Sequence, residues 1–227
     1  MSDMDGRGHI INGKRFAVTM VIDVSCSMAD ELGALTEGFN DFIDCAKEDD
    51  CVKNTMDIAV LTFGSDVKDE FGGFIGIEDV HHMTFATRGS TNMTDALKMA
   101  YQMTRERTIR YAESGIEAYR PWIMLMSDGV PDDEGGVRDI GQTLREREMA
   151  GKLHVFALGM GTEYGSDILQ AVSSRCFAIN DWNITEFFRW LGKSMAKVSR
   201  SQPGAPDAIY DTGEEWHDMS DQFFRTA

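Results

Sequence analysis

A buried-strand pattern near the start of the chain constrains its fold more than any other feature. The run Phe16–Ile22 is almost entirely apolar and rich in β-branched residues, and it leads directly into the polar stretch Asp23–Ser27. Such a run is typical of a strand that is buried on both faces in the middle of a parallel sheet. Asp23, Ser25 and Ser27 therefore follow the carboxyl end of a strand, where open α/β sheets bind their ligands.

The same strand pattern recurs along the chain, with helical patterns between the strands. Further strands are predicted at Met56–Phe63, Trp122–Met126, Leu153–Leu158 and Cys176–Ile179, and helices at Glu31–Glu48, Met93–Tyr111, Gly136–Gly151, 164–173 and Thr185–Ser199. A tight turn after the second strand predicts an antiparallel edge strand at Val67–Phe71, whereas residues 72–85 fit no clear pattern. The alternation predicts a doubly wound α/β fold, with a mainly parallel six-stranded sheet, helices on both faces and one antiparallel edge strand.

Oxygen-bearing side chains cluster in three loops at one end of this predicted sheet. Alternate residues of an extended loop point the same way, so the Asp23 carboxylate and the hydroxyls of Ser25 and Ser27 can converge on one point. Thr91 lies in a second polar loop, and Asp128 follows the strand Trp122–Met126. Oxygen ligands of this kind suit a hard cation such as Mg²⁺.

These three loops resemble the von Willebrand factor A domain family. Its metal-ion-dependent adhesion site has the pattern Asp-x-Ser-x-Ser, then a Gly-x-Thr loop and then an aspartate after a strand, which are matched here by Asp23–Ser27, Gly89–Thr91 and Asp128. The resemblance implies five metal ligands, namely Asp23, Ser25, Ser27, Thr91 and Asp128. It implies Mg²⁺ as the ion, with Mn²⁺ and Ca²⁺ as alternatives, and a partner protein that supplies an acidic side chain to the metal.

Two segments narrow the resemblance to the bacterial tellurite-resistance, TerY-type group. They are Met124–Asp133, which reads MLMSDGVPDD, and Glu186–Ser194, which reads EFFRWLGKS. This narrower resemblance implies a cytoplasmic adaptor, not an enzyme, in a bacterial or phage stress-response system. A kinase, a phosphatase or an ATPase is then the expected partner.

Two other functions remain open on the residues alone. A Mg²⁺-dependent phosphohydrolase could use Asp23 as a nucleophile, although position 25 is a serine where that chemistry needs a second carboxylate. An assembly subunit could dock through the acidic, aromatic segment 201–227.

Four further sites carry simpler expectations. Asp132 and Asp133 are expected in a solvated loop or at a helix amino terminus, Thr94 is a secondary ligand candidate, Cys26 is expected to be buried, and His81–His82 is expected to be a surface pair.

Composition excludes several other classes. A formal net charge of -16 argues against nucleic acid and anionic membranes as partners. No apolar stretch approaches the roughly twenty residues of a membrane span, and the four cysteines show no CxxC spacing, so a soluble cytoplasmic protein is expected. The predicted organisation is a polar lead-in at 1–14, one domain at 15–200 and an acidic tail at 201–227.

Overall fold

A single mixed sheet forms the centre of the molecule. The computed structural model describes residues 13–128, 130–160, 166–179 and 184–200. The strands are β1 (Phe16–Asp23), β2 (Met56–Phe63), β3 (Val67–Asp69), β4 (Ile75–Gly76), β5 (Trp122–Ser127), β6 (His154–Met160) and β7 (Cys176–Ile179). Their order is β3-β2-β1-β5-β6-β7, and the two-residue strand β4 also pairs with β2.

The strand directions confirm the predicted sheet. β1 runs parallel to both β2 and β5, and β6 continues the parallel arrangement to β7. β3 returns antiparallel along the edge of β2, as the tight turn predicts. The short strand β4, in the segment that fits no sequence pattern, adds a second antiparallel pairing to β2.

Helices cover both faces of the sheet. They are α1 (Leu32–Glu48), α2 (Asp50–Thr55), α3 (Met93–Glu113), α4 (Glu134–Met149), α5 (Ser166–Val172) and α6 (Ile184–Arg200). Alternate residues of a strand point to opposite faces, so Phe16, Val18, Met20 and Ile22 of β1 pack in the core beneath α1 and α6. Val21 faces the other core, which α3, α4 and α5 cover.

The structure adds one helix that the sequence pattern does not reveal. Helix α2 has only six residues, which is too short for a helical repeat of apolar positions to be recognised. Its signal is instead Asp49, whose carboxylate accepts hydrogen bonds from the backbone N–H groups of Cys51 and Val52.

The predicted domain boundaries remain predictions. The lead-in at 1–14 lies almost entirely outside the described residues, and the acidic tail at 201–227 lies wholly outside them. None of the helices in the described ranges is both long and apolar enough to cross a bilayer.

Candidate functional site

Asp23 ends β1 and is fully buried. One carboxylate oxygen, Oδ1, accepts a hydrogen bond from the backbone N–H of Ser25 at 2.8 Å. The other, Oδ2, accepts a hydrogen bond from the hydroxyl of Ser127 at 2.6 Å. Each oxygen of the carboxylate is therefore oriented by a separate donor, one from the loop after β1 and one from the neighbouring strand β5.

The two serines of the loop after β1 lie side by side. The hydroxyl oxygens of Ser25 and Ser27 are 3.0 Å apart, and Ser25 is buried whereas Ser27 is exposed. The prediction that Cys26 is buried is wrong, because it is exposed. The loop turns into a 3-10 helix at Cys26, so the alternation expected of extended backbone ends there.

Thr91 is buried beside this loop. Its loop is joined to the serine loop by a hydrogen bond from the Cys26 N–H to the carbonyl of Gly89, at 3.0 Å. It is joined to the loop after β5 through Asp132, whose carboxylate accepts from the Thr91 N–H at 3.1 Å and whose N–H donates to the Thr91 carbonyl at 3.0 Å. Backbone contacts thus link all three predicted ligand loops.

The backbone of the Thr91 loop packs closely against the turn after β2. Gly89 has a φ of +69°, in the region that glycine favours. A Cβ at Gly64 would lie 1.7 Å from the carbonyl oxygen of Arg88. The N–H of Asn92 also donates to the Gly64 carbonyl at 2.8 Å. Glycine is therefore required at position 64 for the turn after β2 to approach this loop.

Asp128 follows β5 and is half-buried. Its Oδ1 accepts a hydrogen bond from the Val130 N–H at 3.1 Å. The pKa of Asp23 is raised from 3.8 to about 6, mainly by burial and in small part by the negative charge of Asp128, against the opposing effect of the hydrogen bonds from Ser127 and Ser25. Asp23 and Asp128 lie at the carboxyl ends of the neighbouring parallel strands β1 and β5, so their charges repel each other.

This arrangement fits a divalent cation. Within the described ranges, neither Asp23 nor Asp128 forms an ion pair with a basic side chain. Two repelling carboxylates beside neutral hydroxyls lack a positive charge, which a hard cation would supply. No group of three or more His, Cys, Asp or Glu side chains suitable for a metal occurs in the described ranges. A metal site at Asp23 and Asp128 would therefore need the hydroxyls of Ser25, Ser27 and Thr91 as additional ligands.

Two supporting residues were not expected from the sequence. Ser127 orients Asp23, and Asp132 holds the Thr91 backbone, although Asp132 was expected only as a loop or helix-start residue. Asp133 confirms that expectation by capping α4, where it accepts from the Gly136 N–H at 3.0 Å. The available signal for Ser127 was its place as the last residue of a buried strand, directly before Asp128.

The remaining candidates lie away from the predicted ligands or serve other contacts. The Thr94 hydroxyl donates to the carbonyl of Asp133 at 3.2 Å, which ties α3 to the loop before α4. His81 and His82 are both exposed, as expected, and His82 Nε2 lies 2.8 Å from Asp44 Oδ1. The sequence pattern does not indicate this acidic neighbour, because Asp44 lies on α1, a different element.

The fold and the site define an α/β domain with an oxygen-rich cluster of side chains at the carboxyl edge of its sheet. The chain belongs to the von Willebrand factor type A domain family, whose model matches residues 17–190. No curated protein sequence matches the chain significantly.

Solved structures from distant organisms share this fold. The pilus adhesin SpaC from Lactobacillus rhamnosus GG aligns with a TM-score of 0.65 at 13% identity, over 82% of this chain and 30% of that one. Proximal thread matrix protein 1 of the mussel byssus, with a zinc-occupied metal-ion-dependent adhesion site, aligns with a TM-score of 0.54 at 16% identity. The alignment covers 81% of this chain and 46% of that one. Manganese-loaded Plasmodium vivax TRAP protein aligns with a TM-score of 0.56 at 16% identity, over 76% of this chain and 71% of that one.

These similarities are limited in two respects. At such low identities they show the fold alone. The chain also spans less than half the length of the mussel and SpaC structures.

Proposed function

We propose that this chain is a metal-dependent protein-binding module. Asp23, Ser25, Ser27, Thr91 and Asp128 would hold the cation, which would supply a positive charge that binds a carboxylate of a partner protein. The observation that supports this most directly is the Asp23 carboxylate. It is buried, its pKa is raised to about 6, and a second carboxylate lies nearby without a basic counter-ion in the described ranges.

We propose Mg²⁺ as the resident ion, with Mn²⁺ and Ca²⁺ as alternatives. Three neutral hydroxyls and two carboxylates form a hard, oxygen-only donor set, which such ions prefer over soft ligands. The structures that share this fold include one with zinc and one with manganese. The choice of metal therefore needs a direct measurement on this protein.

The surroundings of the site support binding rather than catalysis. Ser27 and Cys26 are exposed at its mouth, and the apolar side chain of Val130 is 62% exposed next to it. Position 25 is a serine where a phosphohydrolase that uses Asp23 as its nucleophile would need a second carboxylate for acid–base catalysis. An accessible, partly apolar rim around a cation suits a protein surface that presents an acidic residue.

We also propose a narrower setting for this module. The resemblance of Met124–Asp133 and Glu186–Ser194 to TerY-type proteins supports a cytoplasmic adaptor in a bacterial or phage stress-response system. A kinase, a phosphatase or an ATPase would then be the partner that carries the acidic residue.

Calorimetry with the full chain tests the ion site. We expect Mg²⁺ or Mn²⁺ to bind the wild-type protein with one-to-one stoichiometry, and Asp23→Ala to abolish that binding. Asp139→Asn, which changes an exposed carboxylate on α4, is the matched control and should bind as the wild type does. If the wild type binds none of Mg²⁺, Mn²⁺ and Ca²⁺, the proposed site is wrong.

Partner capture tests the binding function. Immobilised protein should retain a partner from cell extract in Mg²⁺, and should lose it in chelator or when Asp23→Ala is used as bait. Amidation of the carboxylates of the isolated partner should also abolish capture. Retention that survives chelator and Asp23→Ala would contradict metal-dependent recognition, even if the cation itself binds.

A further inference from the structure

A second concave site lies at the opposite end of the sheet from Asp23. It has a volume of about 460 Å³ and opens between α3, α4 and the amino ends of β5 and β6. Pro121 and Leu153, which immediately precede those two strands, form part of its wall. Pockets that bind small molecules typically have volumes of about 300–1,000 Å³, a range that includes this one. We call it the cationic pocket, after the lining residues described next.

The charge of the pocket is opposite to that of the chain as a whole. Four of its lining side chains are cationic and none is acidic, although the net charge of the protein is -16. The four are Arg105 from α3, Arg147 from α4, Arg120 before β5 and Lys152 before β6. Several cations in a lining that contains no acidic side chain create a local positive potential that attracts anions.

Arg120 is held in place by a buried histidine. Its Nη1 lies 3.3 Å from Nε2 of His154, which is only 2% exposed. A guanidinium is always protonated and can only donate, so Nε2 of His154 is the acceptor. The direction of at least one cation is therefore set before any ligand arrives.

The other three cations are not neutralised by the protein. Within the described ranges, Arg105, Arg147 and Lys152 form no ion pair. The acidic residues that flank Arg147 have other partners. Glu146 accepts from the Gln142 amide at 3.0 Å, while Glu148 contacts the guanidinium of Arg175 and accepts from the Val155 N–H.

We propose that the cationic pocket binds a small molecule that carries two or more phosphate groups. Three guanidinium groups favour phosphate, because each planar fork can donate two parallel hydrogen bonds to phosphate oxygens. Arg105, Arg147 and Lys152, three cations without an ion pair in the described ranges, lie around one space and call for a ligand with several negative charges. This binding requires neither a cation at Asp23 nor a protein partner, so it is independent of the function proposed above.

Calorimetry with ADP and with inorganic pyrophosphate tests the proposal on the full chain. The titrations are made at low ionic strength and in chelator, so that no metal contributes. Both ligands should bind, and adenosine should not. If ADP binds more tightly than pyrophosphate, the nucleoside adds contacts, whereas equal affinities mean that the phosphates alone are recognised; both results support the pocket.

A pair of double variants assigns the binding to the pocket. Arg105→Gln with Arg147→Gln removes two lining charges, and should weaken binding by about tenfold or more, as expected when hydrogen bonds to charged groups are lost. Arg110→Gln with Arg145→Gln removes two exposed charges from the same helices outside the lining, and should leave the affinity within about twofold. Asp23→Ala should bind as the wild type does.

Three results would overturn the proposal. They are an absence of ADP and pyrophosphate binding to the wild type, an equal loss of affinity in the two double variants, and adenosine binding as tightly as ADP. None of them bears on cation binding by Asp23, which the metal titration measures separately.

Discussion

When no cation is bound, the stability of this protein should depend on the ionisation of Asp23. The carboxylate is fully buried, and its pKa is raised from 3.8 to about 6, first by burial and further by the charge of Asp128. Between these two pH values the folded protein keeps a proton that the unfolded chain has released. The free energy of unfolding contributed by this group therefore falls as the pH rises through the window, and stays low above pH 6.

The size of the effect follows from the shift in pKa. A change from 3.8 to about 6 corresponds to about 3 kcal/mol over the whole window. Roughly 2 kcal/mol of this change in unfolding free energy falls between about pH 4.5 and about pH 7.5. The rest lies below about pH 4.5, where Asp23 in the unfolded chain loses most of its proton. A bound cation would favour the ionised form and offset the loss.

Urea unfolding of the full chain in chelator, followed by tryptophan fluorescence at these two pH values, measures the effect. Other carboxylates also titrate in this range. The relevant quantity is therefore the change in unfolding free energy between the two pH values in the wild type, minus the same change in Asp23→Asn. The wild type should lose about 2 kcal/mol more than Asp23→Asn, whereas the exposed control Asp139→Asn should lose as much as the wild type. Equal losses of unfolding free energy in wild type and Asp23→Asn would refute the assignment of a raised pKa to the buried Asp23 carboxylate.

Three other substitutions, one of them with a matched control, test the surrounding structure. Asp132→Ala should weaken Mg²⁺ binding about tenfold by releasing the Thr91 backbone, and an unchanged calorimetric affinity would argue against that support. Gly64→Ala should destabilise the protein by about 2 kcal/mol or more, since its Cβ would lie 1.7 Å from a carbonyl oxygen. Gly33→Ala on α1 is the control, because its Cβ would meet open space; it should leave stability unchanged or raise it by up to about 1 kcal/mol. If urea unfolding showed a similar loss of stability in Gly64→Ala and Gly33→Ala, the predicted clash at Gly64 would be wrong. Asp57→Ala should lower the free energy of unfolding by about 3–5 kcal/mol in the same assay, because Arg15 and Arg107 lose their buried ion-pair partner. A loss below about 1 kcal/mol would show that these ion pairs contribute little to stability.

The predicted fold was recoverable because its strands are buried on both faces. β1, β2 and β5 read as continuous apolar runs, and β2 has the same bounds in the sequence pattern and in the structure. Parallel strands deliver their carboxyl ends to one edge of the sheet. That single rule places Asp23 and Asp128 at the same edge of the sheet without any knowledge of side-chain contacts, and the structure shows that the strands they follow, β1 and β5, are neighbours.

The supporting contacts were not recoverable, because they join residues that are distant in sequence. Ser127 reaches Asp23 across 104 positions, and Asp132 reaches Thr91 across 41. No local periodicity records such contacts. The cationic pocket has the same origin, since its charges come from two helices and two loops that meet only after the sheet has formed.

Pro121 and the six residues of β5 separate Asp128 from Arg120. At about 3.3 Å per residue, this strand sets its two ends roughly 20 Å apart. The Debye length in physiological salt is about 8 Å, so solvent-exposed charges at the two ends of the strand are largely screened from each other. The domain can therefore present a negative pole and a positive pole on one rigid strand, each of which can be occupied without electrostatic competition from the other.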